Sequence, residues 1–280
     1  MKKTILFVLL LSAITSCKSQ EEINFKVGYL PNLNYTLTQK QISENTVKYI
    51  ASDQFLQNLE NNGIKNPTST KDTTILKSIS KTGRSNGNEF PIKIELLEST
   101  NPTLISGTKF FGKSIAGMTK IDSISSSVMT KEKKEVLIPA MESLMNQIKY
   151  PNRKIKVGER FEQKNPMSMP IGDVTIEIEI NSIYTLEEVK DGIGYFDLDQ
   201  VYTIESATKD YEMELDGTGK GRINYDIEKE FFTKFFLETT MNLKTELEAF
   251  AIELQTKSIT DQSTEIEKPA GNRVGDPASQ

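Results

Sequence analysis

Apolar and polar residues alternate with a period of two along most of the chain after residue 25. This period predicts antiparallel strands with one buried face. The clearest run spans residues 174–180, where one Val and three Ile alternate with polar residues. Four further segments show the same alternation, with apolar positions at Leu33, Tyr35, Leu37; Phe90, Ile92, Ile94, Leu96; Phe235, Leu237, Met241, Leu243; and Phe250, Ile252, Leu254. Residues 86–88, 190–192 and 216–217 have the composition of turns between strands.

Two segments carry helical spacing instead. Residues 54–61 predict a short helix that ends at Asn62 and Gly63. A longer helix is predicted over residues 131–149, because Leu137, Met141, Leu144 and Ile148 recur on one face. Pro139 either kinks this helix or marks the start of its regular part.

Together these patterns predict a mainly β fold: antiparallel curved sheets or an open half-barrel with one or two covering helices. Tyr150-Pro151 and the composition change after it suggest a boundary between an N-terminal β-rich module, residues 25–150, and a C-terminal antiparallel module, residues 151–268. The alternative is one continuous sheet that runs through this boundary. Residues 269–280 contain repeated Pro and Gly and predict a disordered tail.

The N-terminus has the layout of a lipoprotein signal peptide, residues 1–16. Two lysines precede a short apolar run at residues 5–11, which is well below the ~20 residues that span a bilayer. Ile14-Thr15-Ser16-Cys17 resembles the lipobox of bacterial lipoproteins. The resemblance implies that Cys17 accepts lipid and becomes the new N-terminus. The alternative is an ordinary cleaved signal with an incidental cysteine.

Lipidation at Cys17 would make the membrane a partner of the chain, with residues 17–24 as a lipidated tether. Two or three acyl chains, at ~0.8 kcal/mol per buried methylene, hold a protein on a bilayer, whereas one chain is marginal. Lys18 follows the cysteine, and by resemblance to enterobacterial sorting rules this favours the outer membrane. The predicted localisation is therefore the cell envelope, at the periplasmic face or the cell surface.

Composition excludes several classes of function. The chain has no His and no Trp, and its single Cys is assigned to lipid. Without imidazole or a free thiol, Ser-His-Asp and Cys-His catalysis and the usual zinc sites cannot form. The net charge is -5 with no basic block, which argues against nucleic acid as a partner. We expect no catalytic residues, no metal site and no cofactor.

Three segments of the C-terminal half form a recognisable set: Tyr150-Pro151, the Val-Gly-Glu turn and aromatic at residues 157–161, and the Pro-Met-Ser-Met-Pro sequence at residues 166–170. Over residues 150–268 the chain thereby resembles an uncharacterised family of β-rich Bacteroidota lipoproteins. A glycine-containing strand at residues 217–226, which leads into Tyr-Asp, also matches. Membership would imply a β-rich envelope lipoprotein, and the family supplies no catalytic residues to transfer.

Residues 107–114, Gly-Thr-Lys-Phe-Phe-Gly-Lys-Ser, match the phosphate-binding loop of nucleotide-binding proteins. Lys113 and Ser114 would then contact phosphate and magnesium. The early Gly117, the two bulky aromatics in the loop and the export signal all favour a strand-turn-strand instead. Nucleotide binding therefore remains a remote alternative.

Other motifs are better explained by structure than by chemistry. A Ser-x-x-Lys at residues 78–81 is a chance match to penicillin-recognising enzymes. The glycines at 217, 219 and 221 predict a hairpin or bulge, and Met167-x-Met169 predicts a packed turn rather than a copper site. The acidic positions Asp197, Asp199, Glu212, Glu214 and Asp216 and the basic positions Lys149, Arg153, Lys154, Lys156 and Arg160 predict solvated faces.

Two functional hypotheses follow. The first is a non-enzymatic binding protein whose apolar concavity holds a hydrophobic ligand or a segment of another envelope protein. Its candidate lining residues are Leu137, Met141, Leu144 and the stripe at residues 235–243, which an ordinary core also explains. The second is a structural or protein-interaction module of the outer membrane without a ligand cavity.

Overall fold

The fold is mainly β, in a computed structural model that describes residues 21–102, 104–171, 174–207, 212–247 and 249–269. The signal peptide, Cys17 and the end of the predicted tail lie outside these residues. The strands are β1 (Glu22–Phe25), β2 (Asn34–Ile50), β3 (Thr68–Thr82), β4 (Glu89–Ser99), β5 (Lys109–Ile115), β6 (Met118–Ser125), β7 (Arg153–Lys156), β8 (Arg160–Ile171), β9 (Val174–Lys190), β10 (Ile193–Ala207), β11 (Met213–Asp226), β12 (Phe231–Glu246) and β13 (Ala251–Glu267). The helices are α1 (Asp53–Asn61) and α2 (Lys131–Asn146).

Eleven strands form one antiparallel sheet in the order β6-β5-β4-β3-β2-β13-β12-β11-β10-β9-β8, and β1 pairs with β7 in a separate two-stranded sheet. Neighbouring strands of the large sheet are consecutive in the chain except at β13 and β2. These two pair along their whole length, from Ala251 opposite Ile50 to Glu267 opposite Asn34. Strands from both sides of residue 150 therefore share one continuous sheet.

The period-two segments lie in β2, β4, β9, β12 and β13, and the apolar residues of each share one face of the sheet. Ile92 and Ile94 in β4 and Ile176 and Ile178 in β9 are buried on this face. We call it the inner face, because α2, β1 and β7 pack against it. The sequence prediction of half-buried antiparallel strands is confirmed.

The predicted turns at residues 86–88 and 190–192 are confirmed, but the turn at residues 216–217 is wrong. Those residues lie within β11, where Gly217, Gly219 and Gly221 occupy consecutive inner-face positions. A Cβ at Gly221 would lie 2.3 Å from the Phe236 carbonyl oxygen, and one at Gly217 would lie 2.7 Å from the Tyr202 Cβ. The glycines form neither a hairpin nor a bulge. They let the neighbouring strands close over β11 and so bend the sheet.

The sheet curves until its two edge strands reach the same helix end. The Glu142 carboxylate accepts a hydrogen bond from the Ile121 backbone N–H of β6 at 2.6 Å, and the Gln147 side-chain amide donates to the Pro166 carbonyl of β8 at 3.0 Å. These residues span about 8 Å of helix axis. In a flat sheet, eleven strands would place β6 and β8 about 48 Å apart. The architecture is thus an open half-barrel whose gap is bridged by α2.

Both edges of the half-barrel are protected against further strand pairing. Asn146 of α2 accepts from the Thr119 N–H at 2.9 Å and donates to the Thr119 carbonyl at 2.7 Å, in the way a neighbouring strand would. At the other edge, β8 contains Pro166 and Pro170, which lack the N–H that an added strand would need. Edge strands that are covered or carry proline resist aggregation.

Both predicted helices are confirmed, but the predicted face of α2 is only half correct. Leu137 and Met141 pack against the sheet, whereas the side chains of Leu144 and Ile148 are exposed. Glu142 fixes the rotation of the helix through its bond to β6, and Leu144 lies about 200° around the helix from it. Ile138 and Met145 occupy the contact positions instead. Pro139 lies inside the helix, which begins before it, with Thr130 as N-cap.

We expect Gly221→Ala to lower the free energy of unfolding by about 1–3 kcal/mol, because the new methyl group collides with a backbone oxygen that cannot move alone. Gly28→Ala is the matched control, since a Cβ there meets no atom within 4 Å. Urea unfolding followed by circular dichroism measures both variants. Equal unfolding midpoints for the two would contradict the role of the glycine row.

Candidate functional site

The inner face carries three apolar clusters, of which the first is filled by an inserted pair of strands. In this aromatic cluster Phe161, Phe196 and Tyr225 of the large sheet surround Phe25 of β1, and Tyr184 stacks on Phe161. Ile23 of β1 and Ile155 of β7 are also fully buried there, and Tyr150 packs against them. The aromatic cluster is a closed core.

A hydrogen bond from the Tyr225 hydroxyl helps to hold β1 against the large sheet. The hydroxyl donates this 2.6 Å hydrogen bond to the Lys26 carbonyl just after β1. Burial raises the pKa of Tyr225 to about 12, so the group stays protonated and keeps this bond at any physiological pH. Tyr35, on the inner face of β2, likewise has its pKa raised by burial to about 12.

The second cluster is covered by α2. Ile92, Ile94, Leu96, Phe110, Ile121 and Ile124 of β4 to β6 pack against Leu137, Ile138, Met141 and Met145 of the helix. Leu137 and Met141, the predicted cavity lining, are therefore part of a packed core. Leu144, which shares that prediction, is 62% exposed on the far side of the helix.

The third cluster, which we call the methionine patch, differs from the other two. Its centre is Ile176, Ile178, Met241 and Leu243, all buried, and its half-buried rim is Met167, Met169, Tyr202, Ile204, Met213, Leu215 and Leu254. All of these residues belong to β8 to β13. Among the described residues, no apolar side chain from another layer packs on the patch. It is the apolar region of the inner face on which neither α2 nor the β1-β7 pair packs, and its centre is buried among side chains of the same sheet.

The residues of the methionine patch correct two predictions made from the sequence. Met167 and Met169 lie in β8 opposite Ile178 and Ile176, so the predicted packed turn is wrong and the two thioethers belong to an apolar surface. The stripe at residues 235–243 is divided: Phe235 and Leu237 pack on the aromatic cluster, while Met241 and Leu243 form part of the methionine patch. The division between them falls at Thr239.

A row of polar side chains separates the aromatic cluster from the methionine patch. Ser182 of β9 lies directly opposite Gln163 of β8 and Gln200 of β10. The row continues across β11 to β13 and then β2 and β3, through Gly219, Thr239, Ser258, Ser43 and Asp72. We call these eight residues the polar belt. Every residue in it faces inward, because each is in register with its neighbours.

Hydrogen bonds connect parts of the polar belt. The Gln200 side-chain NH2 group donates to the Ser182 hydroxyl at 2.9 Å. The Tyr202 hydroxyl donates to the Gln200 side-chain oxygen Oε1, also at 2.9 Å. The Gln163 amide donates to the Lys149 carbonyl at 2.7 Å. The Gln163 Oε1 is buried and has no hydrogen-bond partner within the described part of the chain.

Residues 107–114, which match the phosphate-binding loop, form the strand-turn-strand that the sequence analysis favoured. Gly107 has φ +82° in the turn after β4, and the matching Gly-Lys-Ser lies within β5 rather than at the start of a helix. The Lys113 amine is 3.2 Å from the Glu89 carboxylate, and Ser114 is buried. A phosphate cradle needs a loop followed by a helix N-terminus, and this segment supplies neither.

Several charged residues form ion pairs rather than a cluster of like charge. Arg153 forms an ion pair with Glu159, and Lys154 with Glu22, so two of the basic residues after α2 are locally neutralised. Within the described ranges no group of three or more Cys, Asp or Glu residues is arranged to hold a metal ion. A groove of about 450 Å³ on the outer face is bordered by Lys48 and Glu253, which pair at 3.0 Å.

Among the residues described, neither helix is long and apolar enough to cross a bilayer. No protein-family model matches the chain, and no curated protein matches it.

Solved structures give only distant similarities. OccK2 (OpdF) from Pseudomonas aeruginosa aligns at 7% identity over 85% of this chain and 99% of its own, with a TM-score of 0.24. The outer membrane protein OprG from the same organism aligns at 6% identity over 88% and 100%, with a TM-score of 0.22. A putative outer membrane lipoprotein-sorting protein domain from Vibrio parahaemolyticus aligns at 9% identity over 84% and 87%, with a TM-score of 0.18. Scores this low assign neither a fold family nor a function.

Proposed function

We propose that this chain is a lipid-anchored protein of the outer membrane that binds a hydrophobic ligand on the methionine patch and catalyses no reaction. The observation that carries the proposal is the contrast among the three inner-face clusters. The aromatic cluster is filled by β1 and β7 and the second cluster by α2, whereas the methionine patch lacks a covering layer in the described residues. The anchor rests on the sequence around Cys17.

The composition of the patch supports ligand binding rather than a defective core. Met167, Met169 and Met213 are on its half-buried rim. Methionine is unbranched and polarizable, so it adapts to apolar ligands of different shape. Covering this rim with a ligand would remove apolar surface from water, at roughly 25 cal/mol per Å². An apolar surface inside a concave sheet is also the usual setting of a small-molecule site.

The outer face gives less support to the second hypothesis, a protein-interaction module. Its exposed apolar residues include Phe236 and Ile259 on neighbouring strands, but their directly paired positions are Asp261 and Glu238. Charged residues thus break up the apolar surface. Isolated exposed apolar residues are normal on soluble domains.

The test is native mass spectrometry of the protein extracted from its own envelope. For the wild type we expect a non-covalent adduct of lipid size that dissociates on mild activation. For Ile204→Asp we expect no adduct, because the substitution places a charge in the patch. Thr203→Asp is the matched control, because the same charge then lies on the outer face of the same strand. A bare wild-type protein, or equal retention by both variants, would overturn the proposal.

A further inference from the structure

The polar belt defines which hydrophobic ligand suits the methionine patch. We propose that the site takes an amphiphile with a hydrocarbon chain and an uncharged head group that donates hydrogen bonds, with the chain on the methionine patch and the head at the polar belt. This inference rests on the proposed function and specifies its ligand class. It depends on three independent features of the inner face: the length of the methionine patch, the charge of the residues around the polar belt and the hydrogen-bonding capacity of the belt.

The patch has the length of one acyl chain. Along β9, six residues separate Ser182 of the polar belt from Ile176 at the far side of the patch. At about 3.3 Å per residue this distance is roughly 20 Å. One leaflet of a bilayer, half of its ~30 Å hydrocarbon core, is about 15 Å thick. An acyl chain that starts at the belt therefore ends within the patch.

The sheet positions around the belt offer no cation to an anionic head group. The belt itself has no Lys or Arg, and its one ionisable residue is Asp72, on the strand farthest from Gln163. The inner-face rows above and below the belt also contain no cation. The row above is Phe161, Tyr184, Leu198, Gly221, Leu237, Thr260, Gln41 and Thr74, and the row below is Asn165, Ile180, Tyr202, Gly217, Met241, Thr256, Asn45 and Thr70. A carboxylate or phosphate here would be partly desolvated without a counter-charge from the strands that form the belt.

The hydrogen-bonding capacity of the belt calls for a donor. The buried Gln163 Oε1 has no partner within the described residues, while its amide nitrogen already donates to the Lys149 carbonyl. Exchanging the two side-chain atoms would place two oxygens against each other, so the assigned orientation is the favourable one. A free carbonyl acceptor is satisfied by a hydroxyl or an N–H group and not by a carboxylate or an ester. The head group should therefore carry a hydroxyl or an amide N–H.

The experiment uses the absence of tryptophan from the chain. A Met213→Trp variant places one indole on the rim of the patch, and its fluorescence reports binding. Three probes share one chain and differ in the head: 1-monooleoylglycerol, oleate and methyl oleate. We expect 1-monooleoylglycerol to bind at least tenfold more tightly than the other two.

Variants of the belt locate the head group. Gln163→Leu in the Met213→Trp background should remove the tenfold preference for 1-monooleoylglycerol over methyl oleate. Glu162→Leu, one position along β8 and directed outward, should keep the preference. Because Gln163→Leu also loses the bond to Lys149, Gln200→Leu provides a second test of the belt, and urea midpoints establish that each variant is folded.

The outcomes separate the two proposals. Equal binding of all three probes, or tightest binding of oleate, would overturn the head-group inference and leave the proposed function intact. No binding of any probe, together with no lipid retained on the wild type from its own envelope, would overturn the proposed function itself.

Discussion

Replacement of Phe25 by alanine should lower the free energy of unfolding by about 3–5 kcal/mol, the usual cost of removing a buried aromatic ring. The Phe25 ring is 1% exposed, and the centroids of five other rings lie 5.0–6.2 Å from its own. Alanine would leave a cavity at the centre of the aromatic cluster and release β1 from the half-barrel. Urea unfolding followed by circular dichroism measures the loss.

Phe236→Ala is the matched control for this prediction. Phe236 is also an aromatic residue in this fold, but it is 39% exposed on the outer face of β12. We expect it to cost less than about 1 kcal/mol, as for most surface substitutions. Similar losses for the two variants would contradict the assignment of Phe25 as the central residue of this core.

Cys17→Ser should abolish membrane anchoring. The hydroxyl cannot form the thioether that precedes cleavage, so the variant should keep residues 1–16 and incorporate no labelled palmitate. Losing two or three acyl chains removes the binding energy that makes anchoring stable. Metabolic labelling with palmitate and fractionation of the envelope measure both effects.

Ser16→Ala is the control for the anchor, because it keeps a small residue before the cleavage site and should mature normally. Wild-type protein without palmitate would remove the basis for the proposed localisation. Normal cleavage and membrane association of Cys17→Ser would do the same. Neither result would affect the methionine patch, which is tested separately by Ile204→Asp.

Local periodicity predicted both helices and five of the thirteen strands of the described residues, namely β2, β4, β9, β12 and β13. Alternation at residues 90–96 and 174–180 predicted β4 and β9 with the correct face buried, because side chains on a strand point alternately to the two faces. Spacing of apolar residues likewise predicted α1 and α2. The error at Leu144 arose because apolar spacing cannot show that Glu142 binds the edge strand and so fixes the rotation of the helix.

The sequence predicted part of the candidate site, because the stripe at residues 235–243 includes Met241 and Leu243 of the methionine patch, but it did not predict the polar belt. Single polar residues such as Ser182, Gln200 and Thr239 have no motif and are separated along the chain. They become a belt only when the register of seven strand pairs is known. The glycines of β11 were visible in the sequence, but without knowledge of the strands beside them they suggested a turn.

The sequence by itself determined the strands with clear alternation, the two helices, the exclusion of histidine- and thiol-based chemistry and the prediction of a lipid anchor at Cys17. Each of these depends on residue type or on neighbours close in the chain. The tertiary structure alone decided that β13 pairs with β2, that α2 bridges the two edges, and that the methionine patch is the uncovered cluster. These features depend on long-range pairing and curvature, in which residues distant in sequence, such as Ile252 and Tyr49, become neighbours. No local pattern encodes that choice of partner.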